Sequence, residues 1–514
     1  MTSTTDNLPD RLPDDLPDGP PEREAAAADD SALRRIRFGW YINDWANAAF
    51  SATVLTVFLG PYLTTVAKNA ADAAGDVHPF GLSVCAGSFF PYTVSFSVLL
   101  SVAAMLLTGT VADRTGRHKE LMCGFAYVGA VATMGMFLLD GDRYLLGGAL
   151  LVVANIAYAV SVALSYAYLP GLATPDERDA VSSKGWAYGY AGGGLLLIAN
   201  LALFQGHDAL GLSSGTAVRI CLASAGLWWA LFTIVPMLRL PSRAGAAPDR
   251  TPVVSGRTPG AQDQPSATPD RPVATQDQPS ATPDRPVATQ DQPSATPDRP
   301  AAGSLRELAR TLRGMRQYPL TLLYLGAFLC YNDGIQTVVS QASLYGSEEL
   351  GMDQTSLVAA VLLVQIVAIG GALLLGRIAR RYGAKRTVLG SLVGWVATLA
   401  LGYLMPAHQP VWFFALACMI GLVLGGSQAL SRSLFSHLIP AGREAEYFSV
   451  YKVSDRGTSW MGPLVFGLAY QITGSYRSAI ISLLVFFLIG FVLLLKVPVR
   501  RAIEAVGNPV PERL

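Results

Sequence analysis

Charge is what this chain has least of. Only 15% of its 514 residues are Asp, Glu, Lys or Arg, against roughly a quarter in an ordinary soluble domain, and that shortage argues against a soluble enzyme. The few charges nearly cancel, to a formal +1 at neutral pH, so there is no basic field with which to grip nucleic acid, and no nucleic-acid partner is expected. Cysteine is scarce and scattered: Cys85, Cys123, Cys221, Cys330 and Cys418 form no C-x-x-C pair and have no His at metal spacing. Neither a zinc site nor a disulfide framework is indicated. No G-x-x-x-x-G-K-[ST] loop is present, which disfavours an ATP-driven pump. No nucleophile elbow or His/Asp cluster is present either, so no catalytic residue, metal or cofactor is expected.

What is abundant is apolar sequence. A bilayer core needs about 20 mostly apolar residues per helix, and about twelve such stretches occur, near 40–66, 89–111, 120–139, 144–169, 185–205, 217–238, 319–343, 355–376, 387–405, 411–435, 448–471 and 478–497. They divide the chain into a tail at 1–33, a six-helix half at 34–239, a linker at 240–303, a second six-helix half at 304–498 and a tail at 499–514. The first tail is acidic and proline-rich and buries too little to fold, so disorder is expected there. The linker repeats Q-D-Q-P-S-A-T-P-D-R-P from Gln262, Gln276 and Gln290; a repeat this polar offers no apolar face to stack and reads as disordered spacer. No cleaved signal peptide is read at the start.

Lys and Arg set the orientation. With both ends on one side, only Lys68, Arg143, Arg219 and Arg477 fall in loops of the other side, so both termini and the linker are expected in the cytoplasm. The six lysines beside 32 arginines suggest a GC-rich bacterial genome, and with it the cell membrane as location. The partners expected are the lipid bilayer and a small-molecule substrate, with protons as a candidate co-substrate, and the carrier is read as a monomer.

The halves carry one design. G-T-V-A-D-R-T-G-R-H-K runs from Gly109 and G-R-I-A-R-R-Y-G-A-K-R from Gly376, an offset of 267; P-D-E-R-D-A from Pro175 and P-A-G-R-E-A from Pro440 follow at an offset of 265. Two matches at nearly one offset mean a duplication of six spans, a frequent plan of secondary transporters.

The first of these motifs resembles the signature of the major facilitator superfamily. Gly109, Asp113, Arg114, Gly116, Arg117 and Lys119 fill it, and Gly376, Arg380, Arg381 and Gly383 stand in the degenerate second copy. Five further motifs are similar to the branch that contains the autophagy-related vacuolar effluxers of fungi and their bacterial relatives. They are Y-I-N-D-W-A-N-A-A-F from Tyr41, L-P-G-L-A-T-P-D-E-R from Leu169, K-G-W-A-Y-G-Y-A-G-G from Lys184, Y-N-D-G-I-Q-T-V from Tyr331 and S-Q-A-L-S-R-S-L-F from Ser427. The resemblance implies an all-α membrane protein of the major facilitator fold, twelve transmembrane helices in two six-helix halves. It also implies the efflux of amino acids such as leucine that fungal members perform.

Polar residues inside the spans are costly and therefore candidates for function. Asp44, Asn47 and Ser51 fall on one helical face of span 1, and Asp333, Gln336 and Ser340 repeat the spacing in span 7. Asn43 and Asn332 precede the two aspartates. At about 1.5 Å per residue, Asp333 lies about 20 Å inside its span and Asp44 about 6 Å. Both stripes are expected to face a shared cavity, although amides bridging neighbouring helices would leave the same pattern. Gln428 and Arg432 share a face of span 10, and the arginine needs a carboxylate: a substrate's, Asp333 or Asp455. Asn155 and Gln365 read as packing contacts, and Trp45, Trp186 and Tyr188 as belt aromatics more readily than substrate contacts. The glycine clusters at 189–194 and 457–467 read as close packing at a repeat interface. The motif loops read as conformational switches, with Asp113 latching one state.

These features describe a secondary transporter of small polar or zwitterionic solutes, amino acids first, working by alternating access. The rivals are an exporter of drugs or other metabolites, and a transport-like sensor without flux, which solute uptake in proteoliposomes would tell from a carrier. The topology is directly testable: a cysteine replacing Ala267 should label only from the cytoplasm, and labelling from outside intact cells would overturn the orientation. Deleting one 14-residue repeat should leave transport nearly unchanged, because the flexible remainder still spans the halves.

Overall fold

In a computed structural model, residues 20–172, 178–242, 313–440, 447, 450–451 and 457–508 are described. The described chain is helical apart from one short hairpin. Helix α1 (Pro20–Ala49) passes through a π-helical stretch, Phe50–Phe58, into α2 (Leu59–Asn69). Then follow strands β1 (Asp76–Val77) and β2 (Val84–Cys85), and helices α3 (Ala86–Thr115), α4 (His118–Gly135), α5 (Tyr144–Tyr166), α6 (Leu169–Leu172), α7 (Arg178–Gln205) and α8 (Ser214–Arg239). The second half holds α9 (Pro319–Glu348), α10 (Gln354–Tyr382), α11 (Ala384–Leu404), α12 (Pro410–Ser436), α13 (Met461–Thr473), α14 (Tyr476–Ser482), α15 (Leu484–Lys496) and α16 (Val499–Ala505).

Ten stretches among the described residues are long and apolar enough to cross a bilayer. The other two expected spans depart from that pattern for reasons visible in their sequences. Helix α9 is 30 residues long but carries Asn332, Asp333, Gln336 and Gln341. Only the later part of span 11, α13, is described beyond scattered residues, and Asp455 lies outside the described residues.

Helix ends follow local chemistry. Ser213 and Asp353 cap α8 and α10 by accepting from the N–H groups of Thr216 and Ser356, and proline opens α9 and α12. Gly116 (φ 66°) and Gly383 (φ 93°) end α3 and α10, each donating its N–H at 2.8 Å to the carbonyl four residues back. They stand 267 residues apart, the offset of the motifs, so the duplication is written into the backbone as well.

Three expectations on boundaries need correction. Gly109, Asp113 and Arg114 are helical, as are Gly376, Arg380 and Arg381; helix-forming side chains carry α3 and α10 on until a glycine stops them. The first turn is therefore only Gly116 and Arg117, and the second only Gly383. Helix α1 begins at Pro20, inside the stretch expected to be disordered, where a leading proline and an Ala/Glu-rich run favour helix. The final tail also holds a helix, α16, which buries Val499, Ala502 and Ile503, and Asn508 beyond it caps α12 by donating Nδ2 to the carbonyls of His437 (3.0 Å) and Ile439 (2.7 Å).

The two halves are tied together from the hairpin end to mid-depth. Ser88 Oγ donates to the Gly467 carbonyl at 2.9 Å, Ser95 Oγ to that of Trp460 at 2.8 Å, and Tyr476 hydroxyl to that of Gly87 at 3.1 Å. The Cys85 N–H reaches Gln471 Oε1 at 2.9 Å, and Lys68 pairs with Glu348. Helix α3 lies directly on α13, where a Cβ on Gly467 would stand 2.6 Å from the Tyr92 ring. The expected glycine packing thus divides. Gly467 serves the interface between halves, whereas Gly189, Gly192 and Gly193 bring α7 onto α1 within the first half, and Gly194 and Gly457 meet nothing within 4 Å. In the hairpin loop, Asp72 accepts from the N–H groups of Ala74 and Asp76 and meets His78 Nε2 at 2.9 Å. The Asp76 N–H, then the imidazole, hold its carboxyl below the usual range.

Close helix crossings set the stability of such a bundle. A Cβ on Gly226 of α8 would lie 2.5 Å from the Ala130 carbonyl oxygen of α4, whereas Gly124 of α4 faces open space. Gly226→Ala should lower the thermal midpoint in detergent, by the equivalent of about 1–3 kcal/mol of overpacking. Gly124→Ala should hold or raise it. Equal midpoints for the two variants would contradict this crossing.

Candidate functional site

The polar residues of α9 sit where span 11 is interrupted. Asn332 and Asp333 are wholly buried, and neither Asp333 carboxylate oxygen has a hydrogen-bond partner. Beside it α13 begins at Met461 after a turn at Ser459 and Trp460, with no side chain capping its start. The Gly462 N–H faces the carboxylate without reaching hydrogen-bond geometry. The first N–H groups of a helix carry a partial positive charge, so Asp333 lies beside a favourable dipole while keeping both oxygens free. Only glycine fits at 462: a Cβ there would be 1.9 Å from Thr337 Oγ1 and 3.1 Å from the Asp333 carbonyl oxygen. Thr337 Oγ1 in turn donates to that carbonyl at 2.8 Å.

Helix α12 supplies the facing groups. Gln428 Nε2 donates to Asn332 Oδ1 at 2.7 Å, and Arg432 lies one turn further along. The arginine is half-buried, its Nε is buried without a partner, and no ion pair joins it to an acid among the described residues. Across the halves it lies within electrostatic reach of Tyr190 on α7. Tyr190 is 51% exposed and packs beside Trp186 with ring centroids 5.9 Å apart. Gln336, one turn from Asn332, is also exposed. A glutamine at this depth turned to lipid would be costly, so its exposure marks a cavity between the halves.

The structure therefore joins Asn332 to Gln428, with Arg432 one turn along α12 and Gln336 exposed one turn along α9, while Asp333 lies beside Gly462 of α13. It does not join Asp333 to Arg432. Span 1 behaves differently from the expectation of one cavity-lining stripe. The Asp44 carboxylate turns onto α7, with Oδ2 2.7 Å from the place of a Cβ on Gly185, and it has an interaction partner. Asn47 is 3% exposed with neither side-chain atom hydrogen-bonded, and Asn43 is equally buried. Trp40 Nε1 donates to the Ser165 carbonyl at 2.9 Å and Phe50 packs on Tyr158, which places their side of α1 against α5. The Trp40 ring also stands 2.7 Å from the place of a Cβ on Gly185, so this side of α1 touches both α5 and α7.

Other candidates resolve as packing. Asn155 Nδ2 donates to Ser97 Oγ at 2.7 Å, Trp45 stacks on Trp228 at 5.8 Å, and Tyr188 stacks on Tyr41 at 5.2 Å. Gln365 is half-buried with Nε2 unpartnered. The side chain of Asp113 lies outside the described residues. Sequence reasoning passed over Tyr190, although an aromatic residue among glycines in mid-span is the signal that could have marked it.

Comparison with known proteins agrees with this architecture. The family described as "Vacuole effluxer Atg22 like" matches residues 32–507. An uncharacterised MFS-type transporter, YxiO, of Bacillus subtilis is 26% identical over 89% of this chain and 94% of its own. Autophagy-related protein 22 of Yarrowia lipolytica is 28% identical over 82% of this chain and 77% of its own. Among solved structures, a D-xylose–proton symporter superposes with a TM-score of 0.60 at 13% identity, covering 90% of this chain and 97% of that one. The nucleoside transporter NupG does so with 0.55 at 15% identity, covering 92% and 100%. At such identities the likeness to the solved structures concerns the fold alone.

Proposed function

From a chain that belongs to the Atg22-like vacuole effluxer family, and is thus a multi-pass membrane transporter of the major facilitator type and not an enzyme, we propose a secondary carrier of amino acids or similar zwitterions. The observation that carries this reading is the pair of unmatched opposite charges at mid-depth. Among the described residues Arg432 has no ion-pair partner and neither Asp333 oxygen has a hydrogen-bond partner, while the exposed Gln336 stands three residues from Asp333 and the exposed Tyr190 lies within electrostatic reach of Arg432.

A zwitterion answers both needs of such a cavity. Its carboxylate binds the Arg432 guanidinium, which is suited to bidentate contact with carboxylates. Its ammonium sits against the face of Tyr190, an aromatic quadrupole that attracts cations. Gln428, held by Asn332, lines the floor. Asp333, apart from the arginine and beside the start of α13, carries the coupling proton. An apolar drug would leave the arginine without an anion, which weighs against the drug-exporter reading.

The chain works, on this proposal, in the bacterial cell membrane with both termini cytoplasmic and the hairpin end outward. Its halves rock about the central site. Asp113 and Arg114 at the end of α3 and Arg117 and Lys119 at the start of α4, with Arg380 and Arg381 at the end of α10, set the balance of states through the charges beside Gly116 and Gly383. Asp44 and Asn47 support the site by fixing α1 against α7 and α5.

The test is uptake of a labelled amino-acid panel into proteoliposomes with an imposed proton gradient. Asp333→Asn should abolish gradient-driven accumulation and spare counterflow, whereas Arg432→Gln should lose binding and counterflow together. Wild-type accumulation with a wild-type pH profile in Asp333→Asn would exclude the coupling role. Failure of every amino acid to drive counterflow, with apolar compounds succeeding, would overturn the substrate class.

A further inference from the structure

The first span is wound in two ways. Its middle, F-S-A-T-V-L-T-V-F from Phe50 to Phe58, is π-helical over nine residues. π-helix is rare, usually limited to a single-turn bulge, and frequent at functional sites. Here the wide winding shows in the Leu59 N–H, which donates to the Val54 carbonyl five residues back, and in Thr56 Oγ1, which donates at 2.9 Å to the Ser51 carbonyl, also five back.

We propose that this stretch is a hinge, which rewinds to α-helix when the hairpin end of the transporter opens.

The first ground is a threonine that the π form leaves unsatisfied. Thr53 is wholly buried and its Oγ1 has no partner. Elsewhere in the bundle the buried threonines Thr64, Thr133, Thr233 and Thr387 each donate to the carbonyl four residues before them. In α winding, Thr53 would reach the Ala49 carbonyl in the same way. The present winding therefore carries a cost that the α form relieves. Against it, Thr53, Val54, Thr56 and Val57 are β-branched residues, which crowd the preceding turn of an α-helix. The two windings are balanced by opposing local terms.

The second ground is what the stretch touches and what lies beyond it. It packs on α7 and α8 of its own half and on α9 and α10 of the other, so it sits at the junction that must move. Beyond it, α2 carries Lys68, which pairs with Glu348 across the halves. Tighter winding turns α2 about its axis and withdraws Lys68 from Glu348. The same rotation must break contacts of α2 inside its own half: Tyr62 hydroxyl donating to the Leu139 carbonyl at 2.6 Å, and Asn69 Nδ2 facing the Gly141 carbonyl at 3.5 Å. Rocking of rigid halves would preserve both, and that difference makes the hinge testable.

The experiment uses the full chain in intact cells, with the five native cysteines replaced by alanine and Gln336→Cys added as a reporter of the cavity. An impermeant maleimide applied outside labels it whenever the hairpin end opens. A second pair, Asn69→Cys and Asp142→Cys, ties α2 to the α4–α5 loop by an oxidised cross-link within the first half. The hinge predicts that cross-linking stops labelling at position 336 and that reduction restores it. Labelling at the same rate in linked and free protein would overturn the proposal, as would a free protein that is never labelled. In the uncross-linked chain, Thr53→Val should slow labelling several-fold and Thr53→Ser should keep the wild-type rate; equal rates in all three would also exclude it. No substrate is needed, so the result stands apart from the amino-acid assignment. The outward placing of the hairpin is checked separately by the label at Ala267.

Discussion

A polar group inside a bilayer has no water to turn to, and each one in this bundle must find its partner within the protein. Most do so locally. Buried Ser and Thr hydroxyls return to carbonyls three or four residues back, Trp40 reaches across to the Ser165 carbonyl, and Tyr324 and Tyr331 share Ser431. Exceptions remain, Ser161, Ser343, Trp228 and Trp229 among them, and four others bear on transport. Asp333, Arg432, Asn47 and Thr53 all hold buried side-chain atoms with no hydrogen-bond partner. Such groups cost free energy in one static arrangement, and a carrier has at least two arrangements, with a ligand in some of them.

The duplication supplies a frame, and the two halves depart from it at one contact. Each half places an aspartate of its first span against a glycine of its fifth: Asp44 by Gly185 and Asp333 by Gly462. In the first half the fifth span, α7, runs unbroken past the contact, and the carboxylate has a partner. In the second half α13 starts at the contact, and the carboxylate keeps both oxygens free. One aspartate is partnered and the other is not. Equal sequence spacing in spans 1 and 7 could not reveal this, because it depends on where a neighbouring helix begins.

Legibility in the sequence follows the range of the interaction. Apolar runs, a left-handed glycine after a helix and a repeated motif are local signals, and they located the spans, Gly116, Gly383 and the two-half plan. The face shared by Gln428 and Arg432 is equally local, but its partner was not legible: Gln428 meets Asn332, where a carboxylate partner for Arg432 was expected. What escaped was set by distant parts. Asp44 and Asn47 lie on one side of α1, yet Asp44 is partnered beside α7 while Asn47 is buried with no hydrogen bond. Tyr190 comes within electrostatic reach of Arg432 across the halves, which no local signal shows. The π-helical winding has no sequence period of its own, and its run of β-branched residues would suit a strand or a crowded helix as well.

A closed hairpin end is compatible with a working carrier when the contacts that close it are weak. The contacts there include hydrogen bonds to the main-chain carbonyls of Gly87, Trp460 and Gly467 and the pair Lys68–Glu348. They are numerous but individually modest, since an exposed ion pair contributes only about 0–1 kcal/mol. A set of weak bonds holds a state without trapping it. Opening then requires a gain elsewhere of similar size, and a buried hydroxyl at Thr53 that gains a partner in the alternative winding is of that order, about 1 kcal/mol. A strong ionic lock would need substrate binding to supply several kcal/mol of difference between states before any turnover. Small, opposed terms within span 1 and across the hairpin end leave that difference within reach of a small polar ligand.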